Sequence, residues 1–282
     1  MIAYPFGVGK IRTRVLEAGA GHAALVFLHG LGARADRWRA NLDELAAAGY
    51  HCYALDLPGH GFADKEADFP YGVPGYTGFV REFVERAGIA ECALIGTSLG
   101  GHIAASLACQ RPGSVRALVL VGSLGLTPIG PEARLAIGRA VRDTTREGIA
   151  RKLRYVLCDH SLVTEEWVDE EHRTNNSPGA DDAFARLSDY VVDDRGIDHD
   201  NVGQELAGLA GSIPILLVWG AEDAAVPPAV GERAAAVLKG SRLETIRGAG
   251  HLPYLEKSRE FNALVLRFLS GVPEFGRQPA RR

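Results

Sequence analysis

Cysteine is scarce in this chain and follows no pattern. The four thiols, Cys52, Cys92, Cys109 and Cys158, lie far apart and form neither a disulfide framework nor a zinc-binding spacing. Cys52 and Cys92 fall in apolar stretches that read as buried strands, and Cys109 on an apolar helix. Reduced, structural thiols in a cytoplasmic protein are therefore the expectation. Paired histidine and carboxylate spacing is missing too, which predicts no metal. Long apolar runs are absent: the longest, Ala117 to Val121 and Ile215 to Trp219, suit a strand and are far too short to cross a bilayer. Met1 to Lys10 contains no apolar stretch behind a basic start, so no secretory signal is expected. Nor is positive charge in excess, since 31 Lys and Arg face 35 Asp and Glu. Without a basic field, neither nucleic acid nor an anionic membrane is an expected partner. No internal repeat or low-complexity tract interrupts the chain.

What is present is enough apolar material for a sizeable core, 46% of 282 residues. That length suits one α/β domain with an insertion, or two small domains. Strands and helices alternate through the first half. Ile11 to Glu17 alternates like an edge strand. Ala24 to His29 is a continuous apolar run, as expected of a central parallel strand covered on both faces. Asp36 to Ala48 has helical spacing, with Trp38, Leu42, Leu45 and Ala46 on one face. Tyr50 to Leu55 reads as a strand, Tyr76 to Ala87 as a helix, and Glu91 to Ile95 and Val115 to Val121 as further strands. From about Thr127 to Leu209 the rhythm breaks into a charged, helical stretch punctuated at Thr174 to Gly179. It resumes with a strand at Ile213 to Trp219, a helix near Ala229 to Leu238, a strand at Leu243 to Ile246 and a last helix at Glu256 to Leu269. The implied organisation is a core of residues 1–126 and 210–272, a helical cap over 127–209, and a frayed tail from Pro273 to Arg282. Alternating elements imply a mostly parallel sheet with helices on both faces, and ligands then bind beyond the carboxyl ends of the strands.

The most informative segment is Gly96-Thr97-Ser98-Leu99-Gly100-Gly101. An apolar run enters it and an Ala-rich helical stretch, His102 to Gln110, leaves it. Strand, sharp turn and helix put the Ser98 hydroxyl in strained backbone at the sheet edge, beside a helix N-terminus. A Cβ at Gly96 or Gly100 would clash where strand and helix cross. A serine nucleophile needs a base, an orienting acid and an oxyanion hole, because its hydroxyl is too weakly acidic to attack unaided. His251, between glycines just after the last strand, is the candidate base. The segment after the Ile213 strand, Trp219 to Pro227, supplies Asp223 as the acid, with Glu222 beside it. The other position for an acid, after Val121, reads Gly122-Ser123-Leu124-Gly125 and holds no carboxylate. The oxyanion hole combines the Leu99 amide with that of Leu31, in His29-Gly30-Leu31-Gly32. Candidate pocket residues are Gly30, Thr97, Trp167 and Leu252. His29 reads as shaping the oxyanion loop, His60 as structural or as pocket wall, and His102 as packing. Trp38 and Trp219 read as core.

These motifs, with Asp56-Leu57-Pro58-Gly59-His60-Gly61, resemble the α/β-hydrolase superfamily over nearly the whole chain. The resemblance implies a fold of about eight strands and a triad of Ser98, Asp223 and His251. It also aligns Asp223, not Glu222, with the acid. A serine at the elbow sets the chain apart from relatives that place an aspartate there. No cofactor is implied. Arg12 to Gly19, Asp159 to Glu166 and Phe261 to Val265 are in turn similar to meta-cleavage-product hydrolases, which cleave a carbon–carbon bond in dienoates from aromatic-ring degradation. Thr97 and Leu252 stand where that family usually has asparagine and tryptophan, and no cap arginine matches its substrate-carboxylate ligand. The expected function is hydrolysis of a small carbonyl substrate, by carbon–carbon cleavage or, alternatively, as a carboxylesterase or lactonase. A small-molecule receptor on the same fold is the non-enzymatic alternative. Self-association into a homo-oligomer stays open.

Overall fold

The computed structural model describes residues 1–273 and 275. An eight-stranded sheet forms its centre. The strands are β1 (Ile2–Val8), β2 (Ile11–Ala18), β3 (Ala24–Leu28), β4 (His51–Leu55), β5 (Cys92–Thr97), β6 (Val115–Val121), β7 (Ile215–Gly220) and β8 (Arg242–Ile246). They lie side by side in the order β1-β2-β4-β3-β5-β6-β7-β8. The β1–β2 and β2–β4 pairs are antiparallel, and every other neighbouring pair is parallel. The chain steps from β3 to β4 on one side and then to β5 on the other. That reversal opens a crevice at the carboxyl ends of β3 and β5, where such sheets bind ligands.

Side chains alternate strictly along the central strands. Leu25 and Phe27 enter one apolar cluster, while Val26 and Leu28 enter the other. The first face is covered by a 3₁₀ turn (Ala35–Trp38), α1 (Arg39–Ala47) and the C-terminal helices, and Trp38 stacks on Tyr254 at 3.8 Å. The second is covered by α2 (Val73–Arg86) and α3 (Leu99–Gln110). Both faces being covered is why β3, β5 and β6 are apolar at nearly every position.

Between β6 and β7 the chain forms α4 (Pro131–Arg142), α5 (Arg146–Val156), a 3₁₀ turn (His160–Leu162), α6 (Glu165–Asn175), α7 (Ala180–Val192) and the short α8 (Gly203–Ala207). No strand occurs there among the described residues. Thr145 and Thr164 cap α5 and α6 by accepting from Gly148 N and Trp167 N. The core resumes with β7, α9 (Pro228–Val237), β8, α10 (Pro253–Glu256) and α11 (Ser258–Ser270).

Four expectations need correction. Ile11 to Glu17 does not form the edge, because β1 pairs outside it. β1 carries Pro5 and Gly7, and its side chains are largely exposed, so it lacks an apolar signal; proline is tolerated on an edge strand that donates no ladder bond on its outer side. The helix at Asp36 to Ala48 is a 3₁₀ turn followed by α1. The last helix is two, broken at Lys257, which has φ −129°. The tail is packed where it begins: Arg116 donates to Pro273 O at 3.0 Å and Phe275 is buried near Tyr50. The rest of the expected tail, residue 274 and residues 276–282, lies outside the described residues.

Candidate active site

Ser98 stands at the junction of β5 and α3 with φ 54° and ψ −119°, the only non-glycine at positive φ among the described residues. Holding a side chain there costs on the order of 1–3 kcal/mol, which the surroundings must impose. They do so by crowding. A Cβ on Gly96 would lie 2.2 Å from Gly100 O, and one on Gly100 2.3 Å from Leu28 O. The Ser98 amide donates to Val121 O at 3.0 Å, and its carbonyl accepts from Leu124 N at 3.2 Å, fixing the turn to the end of β6. Gly30 faces it, since a Cβ there would lie 3.0 Å from the Ser98 Cβ.

His251 and Asp223 meet directly. His251 Nδ1 lies 2.8 Å from Asp223 Oδ2, and both residues are buried. The other oxygen of Asp223 accepts from Ala225 N at 2.9 Å and Val226 N at 2.8 Å, so the carboxylate is locked before it meets the ring. With Nδ1 engaged by the carboxylate, Nε2 is the ring nitrogen left to exchange a proton. Glu222 turns elsewhere, accepting from Ala249 N at 3.0 Å to brace the histidine loop. Gly122, weighed as an acid position, is instead the floor of the pair. A Cβ on it would lie 2.8 Å from His251 Nδ1 and 3.0 Å from Asp223 Oδ2, and its φ is +47°.

The loop after β3 is set by a neutral histidine. His29 Nδ1 lies 2.8 Å from Gly30 O, while its Nε2 accepts from Leu57 N at 2.9 Å. Burial holds its pKa down to about 4, so the ring stays neutral with its proton on Nδ1. His60 packs edge-on against it with centroids 5.1 Å apart. His102 reaches Asp200 O at 2.8 Å and ties α3 to the end of the helical insertion. The Leu31 amide lies in this loop. Leu99 opens α3, where the first amides have no intrahelical acceptor.

Asp56 was not legible as a site residue. Fully buried, it accepts from Arg14 Nε at 3.0 Å, Ala35 N at 2.8 Å and Phe62 N at 3.0 Å, fastening the segments after β3 and β4 together. An acid directly after an apolar strand was the available signal. A second cluster joins the insertion to the same region. Arg37 pairs with Glu171, and both are buried. The Arg37 guanidinium sits 3.9 Å over the Trp167 ring, and Lys152 Nζ reaches to 3.5 Å from Gly32 O. Of the pocket candidates, Gly30 and Thr97 thus adjoin Ser98, Trp167 lies beneath Arg37, and Leu252 packs into the cluster on the α1 face.

Among the described residues, no group of three or more His, Cys, Asp or Glu is placed to hold a metal, and no helix is long and apolar enough to cross a membrane. Cys52 and Cys92 are buried and Cys158 is exposed. Burial pushes the Cys52 and Cys92 thiols up to about 12, which leaves both protonated and inert.

Fold and crevice together define an α/β hydrolase. The family model for the alpha/beta hydrolase fold matches residues 23–258, and the chain belongs to that family. It is an enzyme of the hydrolase class. A 2-hydroxy-6-oxononadienedioate/2-hydroxy-6-oxononatrienedioate hydrolase from Klebsiella pneumoniae is 30% identical over 94% of this chain and 93% of its own length. A protein of Cupriavidus necator, the dihydrolipoyllysine-residue acetyltransferase component of an acetoin cleaving system, is 33% identical over 95% of this chain and 70% of its own. Among solved structures, a serine hydrolase from the polyaromatic hydrocarbon-degrading bacterium Cycloclasticus zankles superposes with a TM-score of 0.86 at 23% identity, covering 97% of this chain and 99% of that one.

Proposed function

We propose that the protein is a serine hydrolase in which Ser98 is the nucleophile, His251 the general base and Asp223 its orienting acid. The observation that carries this is a strained serine, at φ 54°, whose amide is bonded to Val121 O, next to the Gly122 that lies against a buried His–Asp couple at 2.8 Å. His251 Nε2 takes the Ser98 proton as Oγ attacks the substrate carbonyl carbon. The negative charge that develops on oxygen is met by the Leu31 and Leu99 amides. Collapse breaks the scissile bond, and the leaving group takes its proton from His251. Water, deprotonated by the same imidazole, then releases the acyl group and restores Ser98. No cofactor enters. Residues 127–209 act as a lid over this crevice, between core halves 1–126 and 210–272. We place the enzyme in the cytoplasm.

We infer that the substrate is a small carbonyl compound and that carbon–carbon hydrolysis of a dienoate leads over ester or lactone hydrolysis. Support comes from the Klebsiella relative, which spans nearly both chains and is named for that substrate type. The Cupriavidus relative's name, that of an acetyltransferase component, favours a second reading, in which the acyl group passes to an acceptor other than water. The test has two parts. A fluorophosphonate should label the wild type stoichiometrically and leave Ser98→Ala unlabelled; absence of labelling in the wild type overturns the assignment of Ser98 as nucleophile. Turnover of a 2-hydroxy-6-oxo-dienoate should then exceed that of short nitrophenyl esters and acetyl thioesters. Faster ester or thioester turnover by orders of magnitude discards the carbon–carbon reading.

A further inference from the structure

Asp223 orients the His251 ring, but the His251 backbone is held from another direction. Its amide donates to Val156 O at 2.7 Å, at the end of α5 in the helical insertion. The preceding amide, Gly250 N, donates to Glu256 Oε1 at 2.7 Å. The second oxygen of Glu256 accepts from Cys158 N at 2.7 Å and Asp159 N at 2.9 Å, both in the link that leaves α5. The two segments are in such close contact that a Cβ on Gly250 would lie 2.7 Å from Val156 O. One carboxylate therefore bridges the histidine loop and the insertion. Bonds from backbone amides to an ionised acceptor are short and strong for their kind.

We propose that Glu256 is a positioning residue for His251, its carboxylate joining the amide before the base to two amides of the insertion so that base and insertion move as one body. What His251 does rests on the serine-hydrolase reading above; the bonding does not. Opening the insertion at Val156 to Asp159 must break the Val156–His251 bond or drag the base with it. Chemistry is then confined to the closed arrangement. Aspartate is one methylene too short to span the same three amides.

Glu256→Ala and Glu256→Gln variants of the full chain test this. Activity on a short nitrophenyl ester is normalised to sites titrated with fluorophosphonate, which removes any loss from misfolded protein. We expect kcat per titrated site to fall about 10- to 100-fold, the scale of a misplaced catalytic group. KM should stay within about threefold, and Glu256→Asp should not rescue. A folded Glu256→Ala enzyme with wild-type kcat per site overturns the proposal. A readout without turnover is the downfield imidazole proton of the His251–Asp223 pair in the NMR spectrum. It should be lost to exchange in both variants, and its persistence unchanged also overturns the proposal. If the alanine variant does not fold, the glutamine variant carries both measurements. Should the wild type resist fluorophosphonate, the serine-hydrolase reading fails while the imidazole proton still decides the role of Glu256.

Discussion

Ser98, Asp223 and His251 each owe their geometry to residues that carry no reactive group. Gly122 is the clearest case. Its φ of +47° strains any side chain, and an alanine methyl would press on the very atoms that join His251 to Asp223. Gly122→Ala should therefore cut kcat by about 10²-fold, as expected for displacement of a catalytic group by about 1 Å. The unfolding transition should shift far less than the rate, and the measurement is kcat per titrated site beside a thermal melt. Asp223→Asn tests the other half of the couple. The amide keeps the size but favours the wrong histidine tautomer, and a loss of about 10⁴-fold in kcat is the expected scale. Wild-type kcat in that variant would remove Asp223 from the mechanism. At this scale the sequence was informative, because the chemistry demands particular side chains after strands. Gly122 was legible only as the absence of an acid, since a missing Cβ acquires meaning once its neighbours are known.

The elements divide into those whose pattern is self-sufficient and those that depend on partners. β3, β5, β6 and β7 are apolar because sheet and helices bury them from both sides, so composition alone marks them. β1 is half solvated and interrupted by Pro5, and it exists because β2 offers a ladder; nothing local announces it. The breaks at Trp38 and Lys257 are likewise set by packing: a 3₁₀ turn brings Trp38 onto Tyr254, and Asn41 on α1 donates to the Tyr254 carbonyl at 2.9 Å. The helical insertion was visible as a charged, helical stretch, a composition that suits a solvated face. Arg134 on α4 departs from that by being buried, and so do Glu171 and Arg37, a buried pair between α6 and the turn after β3. Removing one member of a buried pair strands the other and costs about 3–5 kcal/mol. Glu171→Gln should accordingly loosen the insertion. Hydrogen exchange of residues 165–175 should speed up markedly while β5 and β6 remain protected. Unaltered exchange at α6 would mean that the pair contributes little to docking.

For the whole molecule, three buried histidines set the response to acid. Burial lowers the pKa of His29 to about 4, of His60 to about 3 and of His102 to about 4, against 6.5 for the free side chain. The folded state keeps them neutral while the unfolded chain binds their protons. Stability is thus fully present above pH 6.5 and is lost as pH falls toward 4. With three protons taken up on unfolding, the slope approaches about 4 kcal/mol per pH unit in mid-window. Asp36 extends the loss to lower pH. Burial alone would raise its carboxyl, but hydrogen bonds and charge from Arg14, Arg39 and Arg34 hold it well below the carboxylate range, so its contribution starts to disappear below pH 3.8. Urea titrations from pH 8 to 4 should show the midpoint constant above pH 7 and falling below 6.5. A midpoint flat to pH 5 would exclude this origin.

The helical insertion also divides the sheet in time. A ribosome delivers β1 to β6, with the Ser98 elbow between β5 and α3, before any of the insertion and well before β7 and β8. Asp223 and His251 follow the last two strands. The growing chain thus displays Ser98 without Asp223 or His251 for the time needed to make more than a hundred residues, and a shortened product ending inside the insertion would keep the elbow without the His–Asp pair. The central strands can pair first, the helices of the insertion form next, and His251 arrives only when the insertion its amide is bonded to has been made.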